Sequence, residues 1–178
     1  MGVGIEAASV LSDFNKAIEL EPENLEFLRE RAHFFLIDLK DEKRGLEDME
    51  LLIDHEPKSS GHLFFRGRYF REAGRFSEAI RDLSAALRLD LNDTSIRVQR
   101  ARAYFQSNDY PAALVDLNIL ARDLDNEVSI LDGIWILETY AVIYRKQAKI
   151  ARALTDERKV KRLRNAYPYL DKLLSDQK

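Results

Sequence analysis

Arginine and aspartate recur in this sequence at intervals that suit charge chemistry. Arginine stands at Arg31, Arg66 and Arg100, in steps of 35 and 34 residues, and aspartate at Asp13, Asp48, Asp82, Asp116 and Asp156. A guanidinium and a carboxylate repeated in this way can form planar, two-pronged ion pairs, which are costly to bury alone and tolerable together. As a proton-transfer array the same residues are poorly suited, because arginine and an ionised aspartate at every interval serve packing specificity better than catalysis. Whether a pair joins residues of one unit or of neighbouring units is open at this level.

Other chemistry is sparse. The three histidines, His33, His55 and His62, fall in no HExxH or comparable ligand spacing, and read as surface or groove residues. There is no Walker loop, GxGxxG or GxSxG, and with no cysteine there is neither a thiol nucleophile nor a disulfide framework. The sequence therefore points away from an enzyme and implies no cofactor and no metal.

The elements that carry the charges follow from the apolar spacing. Aligning the related segments stacks Val10, Gly45, Ala79 and Ala113, then Leu11, Leu46, Ile80 and Leu114. Phe14, Met49, Leu83 and Leu117 follow, then Ala17, Leu52, Ala86 and Leu120. Positions i, i+1, i+4, i+7 and i+8 form one stripe of an α-helix. A second helix precedes three of these, with Ala32, Gly67 and Ala101 aligned and an aromatic three residues later at Phe35, Phe70 and Tyr104. A small residue at a helix crossing with a large one beside it is a packing rule. Between units, Pro22 and Pro57 end helices, and Asn92 and Asp93 are placed to cap one.

This pattern resembles the tetratricopeptide repeat, a helix-turn-helix unit of about 34 residues. Gly67, Phe70, Gly74, Ala79, Leu83 and Ala86 match its signature, and the resemblance spans roughly residues 6–166. It implies an all-α, right-handed α-α superhelix in a single domain over 1–178. The expected order is a lone helix over 6–20, repeats over about 25–58, 60–93 and 94–127, a degenerate repeat over 129–166 and a cap over 168–175. In the degenerate unit a step of 34 from Ala101 lands on Trp135, too bulky for the crossing, whereas a step of 40 gives Ala141, Tyr144, Ala153, Leu154 and Val160. Leu91 and Asp125 stand where a terminal proline is usual.

Composition agrees with a soluble helical protein, since 46% of residues are hydrophobic and 33% charged, with only 7 Gly and 4 Pro. No apolar run approaches a membrane span, and the N-terminus lacks the pattern of a signal peptide, so the cytoplasm is the expected compartment.

The resemblance implies a binding role, with first helices lining a concave groove. The groove positions select Arg29, His33, Phe64, Arg68, Arg71, Val98, Arg102 and Phe105, then Trp135, Glu138, Val142 and Arg145 in the shifted unit. That set predicts a protein or peptide partner with acidic and apolar groups. The carboxylate clamp of chaperone-binding repeats is absent, because its positions hold Arg29, His33, Phe65, Ser95 and Gln99. The rival partner is nucleic acid or an anionic surface, through a basic stretch over 145–164 with net charge +7 against −10 over 1–144. It carries no aromatic stacking platform, which ranks it below the groove. The lone first helix leaves Leu11, Phe14 and Ile18 for self-association, for a partner, or for the rest of a longer chain.

Overall fold

The structure is a computed structural model that describes residues 2–121, 130–146, 157, 158 and 161. The second helix expected within 129–166, with Asp156, the cap over 168–175 and most of the basic stretch 145–164 lie outside these residues. Among the described residues every regular element is helical. The elements are α1 (Gly2–Leu20), α2 (Leu25–His33), α3 (Glu42–His55), α4 (Ser60–Glu72), α5 (Phe76–Leu89), α6 (Thr94–Gln106), α7 (Tyr110–Leu120) and α8 (Ile130–Lys146). A π-helical turn, Phe34–Asp38, extends α2. The chain forms two compact units, Met1–Leu91 and Asn92–Lys178.

In the first unit, α2 packs on α3 and α4 on α5, each through the small-residue crossing read from the sequence. The buried stripe of α3 is Gly45, Asp48, Met49 and Leu52, and α5 buries Ala79, Asp82, Leu83 and Ala86 at the same register, with Leu87 beside them. Ala32 is fully buried, and a Cβ added to Gly67 would lie 2.8 Å from Leu83 Cγ, closer than carbon atoms pack. In the second unit, Val98 and Ala101 of α6 meet Ala113, Leu117 and Leu120 of α7 and Ile136, Tyr140, Ile143 and Tyr144 of α8. Ala141 and Tyr144 are both buried on α8, as the step of 40 predicts. That helix runs 17 residues against 13 for α6, so it takes up part of the insertion before it.

Each helix pair turns through one left-handed residue, Lys40, Gly74 or Asn108, with φ of 55°, 76° and 64° and spacings of 34. The next residue donates its N–H to the carbonyl of the packing aromatic: Asp41 to Phe35 at 2.8 Å, Arg75 to Phe70 at 2.8 Å, Asp109 to Tyr104 at 2.9 Å. The first pair has 8 residues from Ala32 to Lys40, where the second has 7 from Gly67 to Gly74. The π-turn absorbs the extra residue, closing with a bond from Leu39 N–H to the Phe34 carbonyl. Asp41, Asp93 and Asp109 then cap α3, α6 and α7 by accepting from the N–H of Arg44, Ile96 and Ala112.

Lysine is the costly member of the left-handed set, because its Cβ crowds the carbonyl that glycine clears and asparagine tolerates. Lys40→Gly is expected to raise stability by about 1 kcal/mol. Gly74→Ala should cost about as much; an added Cβ there meets nothing within 4 Å, so only backbone strain is felt. Urea denaturation of the two variants checks both signs.

Candidate partner-binding groove

The arginine and aspartate ladder holds each pair at a fixed rotation. Arg31 donates Nε and Nη2 to the two oxygens of Asp48 at 2.8 and 2.7 Å. Arg66 does the same to Asp82 at 2.6 and 3.0 Å, and Arg100 to Asp116 at 2.8 and 2.7 Å. All three forks join the two helices of one pair. The hydrogen bonds from their carboxylates hold Arg31 and Arg100 above the ordinary guanidinium pKa, against the opposing effect of burial, so both stay cationic at any accessible pH. Asp13, at the same register of α1, is exposed, with no ion pair among the described residues.

An open groove of about 450 Å³ lies in the first unit, between α2 and the start of α4. Arg29 and His33 line it from α2 and Phe64 from α4, three of the residues selected by sequence. Phe65 and His62 line it as well, with Glu26, Glu30 and Glu56. The His33 ring lies 5.7 Å from the Phe65 ring, and the Arg68 guanidinium lies over the same Phe65 ring at 5.8 Å. Of the two readings of His62, surface or groove, the structure has the second: its side chain is 11% exposed and Nε2 lies 2.8 Å from Glu56 Oε2.

Several expected roles change with the geometry. Arg29 is not a free carboxylate fork, because Glu26, one turn before it, and Glu30 take its donors. Arg71 is 12% exposed and pairs with Glu72. In the second unit, Arg102 donates to Asp132 at 2.8 Å and lies over the Trp135 ring at 4.8 Å, so it is tied to α8. Val98 is buried in the core, because α7 and α8 pack against it. Phe105 and Trp135 are partly buried against that core, Phe105 also meeting Tyr110 at 5.8 Å between ring centres. Glu138 and Val142 are half-buried on α8, and Arg145 pairs with Glu157. Arg68 has no ion pair among the described residues.

No family model and no curated protein matches this sequence. A solved structure does: a tetratricopeptide repeat protein from Parabacteroides merdae is 21% identical with a TM-score of 0.63, over 87% of this chain and 58% of that one. The fold is that of the tetratricopeptide repeat. This chain thus spans a little over half the length of its structural counterpart.

Of the residues lining this groove, the sequence pattern selects Arg29, His33 and Phe64 and reads His62 as a surface or groove residue, but it does not select Glu30 or Glu56. Glu56 and His62 flank the turn at Pro57, and a turn's course is not encoded in helical periodicity. The pairing of Arg29 with Glu26 had a local signal, a spacing of three on one helix. Among the described residues no helix is long and apolar enough to cross a membrane, and no group of three acidic or histidine side chains could hold a metal ion.

Proposed function

We propose that this protein is a non-enzymatic interaction module, an adaptor, chaperone or inhibitor, that holds a peptide or protein segment in the groove between α2 and α4. The observation that carries this reading is the convergence of Phe64, Phe65 and His33 with Glu30 and Glu56 in one open groove. Partly exposed rings offer contact area at low cost in side-chain entropy, and carboxylates beside them orient a cation. Three carboxylates line the groove against one guanidinium that is already paired, so the partner segment presents an apolar side chain next to a basic group. This revises the acidic partner expected from the arginines, most of which have carboxylates of their own.

The test begins with capture of the partner from native extract, followed by calorimetry on the purified pair. Phe64→Ala is expected to weaken binding at least about tenfold, since truncating a ring anchor costs roughly 2 kcal/mol. Glu30→Lys should weaken it further for a basic segment. Arg81→Ala and Arg88→Ala, on exposed positions of α5, should leave it unchanged. Loss of binding in the α5 variants with retention in the groove variants sinks the reading.

A further inference from the structure

The groove between α2 and α4 has two unlike walls. Equivalent positions of the two helices, 35 residues apart, set Glu26 against Gly61, Arg29 against Phe64 and Glu30 against Phe65, and all six line the groove. The α2 wall is therefore charged and the α4 wall aromatic. A Cβ on Gly61 would meet only Ser59 Oγ, at 3.7 Å, so no side chain crowds that end of the aromatic wall. Phe65 already carries His33 and Arg68 on its ring, whereas Phe64 has no ring or cation contact among the described residues. The carboxylates opposite are loosely held: the Arg29 side chain that bonds Glu26 and Glu30 is 45% exposed, and both glutamates are more so. Ion pairs this wet contribute little, so Arg29 gives way at small cost to a better-placed cation.

We propose, given that this groove is the partner site, that its occupant presents an arginine, whose guanidinium lies on the Phe64 ring and turns its donors to Glu30 and Glu26 in place of Arg29. Three places in the same molecule show a cation held in this way. Arg44 lies over Phe35 at 4.4 Å and donates to Asp41 at 2.8 Å. Arg75 lies over Phe70 at 4.4 Å and donates to Glu78 at 3.0 and 2.9 Å. Arg102 lies over Trp135 at 4.8 Å and donates to Asp132 at 2.8 Å. A flat guanidinium can stack on a ring and bond a carboxylate with its edge at once. An ammonium has neither the flat face nor the fork; Lys146, over Tyr110 at 5.0 Å, donates to the hydroxyl of that same ring and not to a carboxylate. The groove thus selects arginine over lysine, and Arg29 is its resident competitor.

The probes are capped dipeptides of leucine followed by arginine, lysine, citrulline or glutamate, titrated into the isotope-labelled whole protein and followed by amide chemical shifts. The arginine peptide is expected to shift amides of α2 and the start of α4. It should bind about threefold more tightly than the lysine peptide and at least about tenfold more tightly than citrulline, which keeps the shape and loses the charge. Arg29→Gln should tighten the arginine peptide about threefold, an effect that fades with added salt. Phe64→Leu should keep the leucine contact and bring arginine down to the level of lysine. The same spectra report whether each variant is folded. Lysine, citrulline or glutamate binding as well as arginine, or weaker arginine binding in Arg29→Gln, overturns the arginine proposal and leaves the groove standing as the partner site. Failure of every peptide to shift those amides overturns both.

Discussion

Replacing Arg66 with methionine is expected to destabilise the protein by about 3–5 kcal/mol, because it leaves the Asp82 carboxylate buried without its fork. Asp82 is 3% exposed, and both its oxygens are bound by Arg66. Arg81 cannot take over: its Nε lies 3.8 Å away on a side chain that is 69% exposed, so its charge is largely screened by water. Methionine keeps most of the aliphatic stem, which restricts the change to the lost charge and its hydrogen bonds. The double variant Arg66→Met with Asp82→Leu should recover most of the loss, since an apolar pair of similar volume has no desolvation to offset. The same change at Arg100 should cost less, because Arg97 lies 3.6 Å from the orphaned Asp116. Urea denaturation of the full cycle measures the coupling, and a value near zero for Arg66 with Asp82 would rule out the fork as a stabilising pair.

Gly67→Val is the second large effect, an expected loss of about 3 kcal/mol. The first carbon of any side chain there is 2.8 Å from Leu83 Cγ, and 3.3 Å from Asp82 Cβ. A branched side chain adds methyl groups beyond that point and cannot turn away, because its rotamer is restricted in a helix. The crossing must widen, which also pulls Arg66 from Asp82. Gly67→Ala should cost clearly less, about 1–2 kcal/mol, as better helix propensity offsets part of the clash of a single carbon with Leu83. Ala32 and Ala101 hold the same register in pairs that stay packed. Adding Leu83→Val to Gly67→Val should recover part of the loss. Thermal melts of the three variants give the ordering; a valine variant as stable as the parent would show that the crossing is not close-packed.

Much of this architecture is legible in the amino-acid sequence for a physical reason: an α-helix maps fixed spacings onto one face, so Asp48 and Asp82 with Met49 and Leu83 reveal their helices without any contact known. The aligned Ala32, Gly67 and Ala101 likewise reveal where helices cross, since only a small residue fits there. Even the π-turn has a trace, the step of 35 where the next is 34. What spacing leaves open is which partner a side chain reaches. Arg66 stands 16 residues from Asp82 and 18 from Asp48, and periodicity allows either fork; the rotation of α4 on α5 selects Asp82. Arg102 and Asp132 are 30 residues apart on helices whose approach no local pattern encodes, so a guanidinium that looks free along the chain is taken. Val98 shares a helical face with groove positions, yet it is core, because α7 and α8 close over it. Face membership is a property of one helix and can be read from it, whereas exposure and charge pairing belong to the helices packed around it.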